Sequence, residues 1–405
     1  MLNFNRIAAV LPLLVVAVAL CAGCSAESKK KRFIERADRY FENGELTKAE
    51  IEYLNVLRLD RTNAHAFKQL GILYFENGRT LRAAPFLIRA LELNTNDVEV
   101  QLKLATVYLT GGAHKEARRL AENVLASSPT NSSAPLILTE SSRTPEEINA
   151  ARQQLAALSS KGGQTAGYHL ATASLLSKEG KLSETEAALR KAIQADPKSP
   201  HPHHALGMLL WARTNLVEAD SELKQASELA AVRSPQKLQY PDFLLKTGRS
   251  EEAKKLMLQI AKEAPDYLPT WALLAELALN EKQHADCAKY VNEILTRDPD
   301  FYDGLLLSGR LHLNTGENDK AFTTFERTTN LYPKSTAAHY FMALSALARN
   351  DQVLAAKHLD EAVKLNPDFS EALLQQAQLN LRRDNAAAAI ASMTQLIRKS
   401  PPFAP

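Results

Sequence analysis

The chain is 405 residues long, with 49 basic and 46 acidic residues and a net charge of +3, a near balance that leaves no electrostatic footprint for nucleic-acid binding. Alanine and leucine are abundant, glycine is sparse, and no stretch keeps the two-residue alternation of a strand for long, which argues against a β-rich fold. A chain of this size predicts two or three globular domains unless an internal repeat draws it into one elongated body.

At the N-terminus, Met1 and the lone basic Arg6 precede an apolar run from Ile7 to Leu20, interrupted by Pro12, and then Cys21-Ala22-Gly23-Cys24. This reads as a bacterial lipoprotein signal: small residues before the cysteine permit cleavage and the thiol carries the lipid. Residues 1–23 are then the signal peptide, Cys24 the lipidation site, and 24–29 the lipidated N-terminus with a short basic linker. Cys21 stands where a leucine is usual, with Leu20 one step earlier. The other reading is an uncleaved anchor, for which Ile7 to Gly23 is at the short limit for spanning roughly 30 Å of hydrocarbon. Both readings tether the chain outside the cytoplasm, facing the periplasm. Ser25, where an Asp would resemble an inner-membrane retention signal, favours the outer membrane. Lys29, Lys30, Lys31 and Arg32 either touch anionic head groups, at roughly 1 kcal/mol each, or form a soluble lead into the first helix. Loss of the signal removes only Arg6 among the charged residues and leaves Cys287 as the last cysteine, so no internal disulfide forms.

From Lys30 onward the chain repeats every thirty-four residues. Tyr40-Phe41-Glu42-Asn43-Gly44 returns verbatim as Tyr74-Phe75-Glu76-Asn77-Gly78, and eleven windows follow without insertion, starting at residues 30, 64, 98, 132, 166, 200, 234, 268, 302, 336 and 370. The last ends at Phe403 and leaves a tail of 404–405. The eighth place is nearly always Gly or Ala (Ala37, Gly71, Ala105, Gly207, Gly309), and the twentieth is small throughout (Ala49, Ala83, Ala219, Cys287, Ala355). Two helices crossing at the roughly 8 to 10 Å of close packing require both, and this makes Cys287 a packing residue. Gly44, Gly78, Gly112, Gly180, Gly248 and Gly316, with Asn350, supply a left-handed residue between the helices. Pro129, Pro197, Pro265, Pro299, Pro333, Pro367 and Pro401 close the second helix. Each window is thus a helix, a tight turn, a second helix and a stop, and stability comes from stacking of neighbours. Thr139, Ser142 and Pro145 weaken the first helix of window four, and Pro241 falls inside that of window seven.

These positions closely resemble the tetratricopeptide repeat, with window two (Phe67, Leu70, Gly71, Tyr74, Gly78, Ala83, Ala90) the clearest copy. The resemblance covers residues 30–403 and implies an all-α fold, a right-handed superhelical α-solenoid of about eleven stacked helical hairpins. It also implies a concave face lined by the first helices, chiefly at places two, five, nine, twelve and thirteen. The lysine and asparagine clamp by which some relatives hold a partner's C-terminal carboxylate is missing here.

The twelfth place carries an apolar row that could receive an amphipathic helix or an extended apolar segment; the other reading is that the first helices bury it against one another. The candidate groove residues are Phe41, Phe75, Leu109, Met208, Trp211, Leu245, Arg310, Leu313, Tyr340 and Leu347. Trp211 and Phe75 are the expected exposed anchors, so Trp211→Ala should weaken partner capture and leave stability nearly unchanged.

His201, His203 and His204 form the densest cluster of metal-ligating side chains, but no nearby Cys, Asp or Glu completes a tetrahedral set. No phosphate loop or nucleophile elbow occurs, so the sequence predicts no metal, no cofactor and no enzyme. Two function classes remain: a lipid-tethered scaffold collecting protein partners, or an accessory subunit of an envelope enzyme acting on glycan. Within the first, the chain looks like repeat lipoproteins of exopolysaccharide export and C-terminal protein sorting. Ile390, Met393, Leu396 and Ile397 end the array without a polar cap, so self-association, a bound partner or a shortened chain is expected there.

Overall fold

The computed structural model describes residues 26–160 and 164–399; Cys24, the signal segment 1–23 and the tail 404–405 lie outside the described residues. Among those described, every regular element is a helix. The first begins at residue 26, so the second half of the expected linker is already helical, and Lys30 is tied to Glu27 and Asp60 at 2.9 and 3.1 Å. In most windows a first helix of 13 residues is followed by a second of 14, as in Ala64–Glu76 with Thr80–Leu93 and Thr336–Ala348 with Gln352–Leu365. Side chains of Asn63, Asp97 and Ser335 accept the backbone N–H three residues on and so start the first helices of their windows.

The turn between the paired helices takes one left-handed residue at the fifteenth place. Glycine serves in six windows, with φ of 72° to 80°. Thr214, Lys282, Asn350 and Asp384 serve in four others, with φ of 55° to 63°, against a steric cost of roughly 1–2 kcal/mol for a side chain in that region.

The small residue at the eighth place lies beneath the large side chain at the twenty-fourth of the same window. A Cβ on Gly71 would stand 2.6 Å from Leu87 Cδ2, and one on Gly207 would stand 2.6 Å from Leu223 Cγ. The twentieth-place residues Ala49, Ala83, Ala219, Cys287 and Ala355 are fully buried. Both small places are buried as close crossing requires, and the side chain that place eight meets most closely is the one at place twenty-four. Cys287 packs as expected, with burial pushing its thiol up to about 11.

Windows four and seven depart from the pattern in ways that the structure repairs. The first helix of window four, Ala134–Ser141, has only 8 residues, and the second, Pro145–Ser160, starts early and runs for 16. Thr144-Pro145-Glu146-Glu147 is a capping box: Thr144 Oγ1 accepts from the Glu147 N–H at 3.3 Å, and Glu147 Oε2 accepts from the N–H groups of Thr144 and Arg143 at 3.1 and 2.7 Å. In window seven the helix Pro235–Lys246 passes through Pro241. Proline has no N–H for the carbonyl four residues back, that of Lys237, and the buried Ser227 supplies the donor instead through Oγ at 2.9 Å.

The described residues divide into two compact units, where the unbroken period predicted a single body. The first reaches Leu256 and includes Lys262–Tyr267; the second comprises Met257–Ala261 and the residues from Leu268 on. The core of the first includes Tyr53, Leu70, Tyr74, Leu87, Leu104 and Val124. In the second, Phe325 with Met342 and Leu359 with Ala343 and Ala362 are core residues.

Candidate partner-binding face

The candidate residues follow the first helices of both units. In the first unit, Phe41, Phe75 and Leu109 are half-buried, one edge packed on the core and the other open to solvent. Lys103 Nζ lies 5.0 Å over the Phe75 ring and pairs with Glu76 at 3.2 Å. Met208 is 37% exposed and is the most open of the expected residues. Trp211 is half-buried, its ring edge-on to the buried Phe243 at 5.2 Å and 86°, with Lys246 Nζ 5.7 Å above it. This corrects the expectation of a free anchor: the indole is held by the next window's first helix, because Phe243 of the Pro241-containing helix turns into the space beneath it. Leu245 is half-buried.

In the second unit, Arg310 makes two bonds to Glu276, at 2.5 and 2.8 Å, between ninth places of adjacent windows, and its guanidinium lies 5.6 Å from the Phe341 ring. It is thus already neutralised rather than waiting for a partner. Leu313 and Leu347 are half-buried against the core, and Tyr340 packs on Phe341 and Phe369 at 5.2 and 5.3 Å. The row is uneven: Leu279 is buried, whereas Leu381 is 60% exposed.

The packed and the exposed readings of the twelfth place are thus both partly met, since most side chains are anchored below and present one edge. Sequence reasoning did not find the ion pairs that cross from one first helix to the next. Asp38 accepts from His65 Nε2 at 2.7 Å and from the Tyr53 hydroxyl at 2.6 Å, and Lys68 reaches Asp97 and Glu99 at 2.9 Å each. Opposite charges at concave places of adjacent windows were the available signal.

The histidine cluster separates. His203 Nδ1 meets Glu222 at 2.7 Å and its Nε2 donates to the Pro197 carbonyl at 3.3 Å, while burial lowers His204 and His201 is exposed. Among the described residues no three His, Cys, Asp or Glu side chains are grouped to hold a metal. No described helix is long and apolar enough to cross a membrane.

Known proteins share this architecture. Tetratricopeptide-repeat family models match residues 74–134, 306–363 and 342–404. Anaphase-promoting complex subunit 3 of Schizosaccharomyces pombe is 29% identical over 111 residues, which are 27% of this chain and 16% of that protein's length. The crystal structure of yeast Tom70 is similar over 92% of both chains, with a TM-score of 0.53 at 15% identity. A tetratricopeptide protein of Thermus thermophilus is 23% identical, covering 45% of this chain and 99% of its own, with a TM-score of 0.38. The matched segments and the α-solenoid architecture together support the tetratricopeptide-repeat family for this chain.

Proposed function

We propose that the protein is a non-catalytic scaffold of the bacterial envelope, tethered by a lipid on Cys24, that collects protein partners along its first-helix face. The observation that carries the reading is the row of half-buried side chains, Phe41, Phe75, Leu109 and Trp211, each anchored on the core or a neighbouring ring and partly open to solvent. Such a surface is already ordered before a partner arrives, so binding spends little side-chain entropy on it. The similarity to a protein named as a subunit of a complex agrees with a role in assembly. The N-terminal residues favour the outer membrane and a periplasmic orientation, and exopolysaccharide export or protein sorting is the proposed setting.

Two variants test the proposal. Cys24→Ala is expected to move the protein from the membrane to the soluble fraction; retention in membranes would rule out the lipid tether. Met208→Asp alters the most open of the expected groove residues and should lower recovery of cross-linked envelope partners with no change in thermal unfolding. Equal recovery by wild type and variant would argue against this face, and a stoichiometric glycan-acting enzyme among the partners would favour the accessory-subunit reading.

A further inference from the structure

In the first unit, the cations at the expected concave places are almost all spent internally. Lys31 pairs with Glu35 at 3.9 Å, Lys68 with Asp97 and Glu99 at 2.9 Å, and Lys246 with Asp242 at 2.6 Å. Arg143, at the twelfth place of window four, is the exception: among the described residues its guanidinium has no hydrogen-bond or ion-pair partner, and the residue is exposed. It interrupts the apolar row one window after Leu109.

The segment that carries Arg143 is held from both sides. The Lys178 ammonium donates to the carbonyls of Thr139, Glu140 and Ser142, the last at 2.6 Å, and so ties down the end of the shortened helix Ala134–Ser141. Arg118 donates to the Ser141 carbonyl at 3.1 Å and pairs with Glu147 at 2.7 Å, and Glu147 also accepts from the backbone N–H of Arg143. Lys178 and Glu147 are committed to holding the backbone, Arg118 binds through one terminal nitrogen and keeps a buried Nε without a partner, and the Arg143 head group is left over. Surplus positive charge is felt locally: burial, Arg143 and Arg118 lower Lys178, and burial, Arg143 and Lys178 lower His114. Glu140, an exposed carboxyl three residues before Arg143, feels the charges of Lys178 and Arg143 but forms no ion pair with either.

We propose that Arg143 is the receptor for a carboxylate side chain on a partner segment lying across this face, one whose apolar neighbour rests on Leu109. This rests on the groove reading above and names the chemistry of its occupant. Adjacent helices pack roughly 8 to 10 Å apart, so an extended partner places its acidic and apolar residues about three positions from each other. A single carboxylate fits better than a phosphate dianion, because among the described residues Arg143 is the one unpaired cation at the concave places of the first unit and Glu140 stands beside it. The backbone of Arg143 is held, and its guanidinium can offer paired N–H groups to one carboxylate.

The test uses a random twelve-residue library displayed at the N-terminus of a phage coat protein, so that no peptide has a free C-terminal carboxylate. Selection on the wild-type protein should enrich peptides with Asp or Glu about three positions from Leu, Ile or Phe. Replacing that acid by its amide in the most enriched synthetic peptide should weaken binding about tenfold for wild type and less than about twofold for Arg143→Ala. Arg143→Glu should instead enrich Lys and Arg. Enrichment of apolar peptides without an acid, or an acid preference that survives in Arg143→Ala, overturns the assignment and leaves the groove intact. No enrichment above the blank support overturns the groove reading as well. Since the Arg143 side chain makes no internal hydrogen bond or ion pair, Arg143→Ala should unfold at the wild-type temperature.

Discussion

Trp211 is where the packed and exposed readings of the twelfth place differ most, and Trp211→Ala separates them. Truncating a fully buried tryptophan costs about 3–5 kcal/mol, and an edge-to-face aromatic pair contributes about 0.5–1.5 kcal/mol of that kind of loss. The indole here keeps one side in water while its edge meets Phe243 at 5.2 Å, so a cost of about 2 kcal/mol is expected. In a repeat array such a loss stays near its source, and global unfolding blurs it. Amide hydrogen exchange is the suitable assay: protection in the helices Pro200–Ala212 and Pro235–Lys246 should fall about 30-fold, with windows one and two unchanged. Unaltered exchange in both helices would show that the ring is not anchored and would restore it as a free hot spot.

Three further outcomes follow from the same coordinates. Ser227→Ala should destabilise by about 1–3 kcal/mol by leaving the Lys237 carbonyl without a donor; Pro241→Ala made alongside it restores the helical N–H and should recover most of that loss in denaturant titrations. Thr214→Gly should stabilise by about 1 kcal/mol, because a β-branched residue held at φ 61° is replaced by one without a Cβ; a lower unfolding midpoint would contradict this. The third concerns His358, whose Nδ1–H donates to His339 Nδ1 at 2.9 Å, since His339 Nε2 is committed as donor to the Pro333 carbonyl at 3.0 Å. Burial, then His339, lowers His358 from 6.5 to about 4, so the folded state binds fewer protons and stability is lost as pH falls from 6.5 towards 4. Thermal unfolding measured across that interval should show the loss in wild type. His358→Glu, which copies the His203–Glu222 pair at the same place of window six, should reduce or reverse it.

Much of the fold was legible because a thirty-four-residue period writes each steric requirement eleven times. Glycine at the turn, proline after the second helix and a small eighth residue recur often enough to identify their roles. What escaped notice was chemistry occurring once. Nothing in the residue types Thr214, Lys282 or Asp384 announces a left-handed backbone; the two helices on either side impose it. Thr144-Pro145-Glu146-Glu147 has the residue types of a helix start, but it occurs in one window alone, and the second helix begins early there. The division into two units has no counterpart in the sequence, where the period runs through without a break. Of the candidate face, composition gave the apolar row, and only coordinates showed which edges are open.

The internal ion pairs decide what sort of partner this face accepts. A partner charge aimed at Arg310 or Lys68 would have to displace Glu276, or Asp97 and Glu99, and leave those carboxylates without their cations. Breaking a partly desolvated pair costs more than an exposed replacement returns. These pairs therefore repel acidic and basic intruders alike while fixing the helices that carry the apolar edges. Affinity must come from the apolar edges, and charge selectivity from the few places where neutralisation is incomplete. On that argument, added salt should weaken partner binding on the first unit only as far as Arg143 allows, the one unpaired cation at its concave places among the described residues, a shallow dependence that many-contact electrostatic binding would not produce.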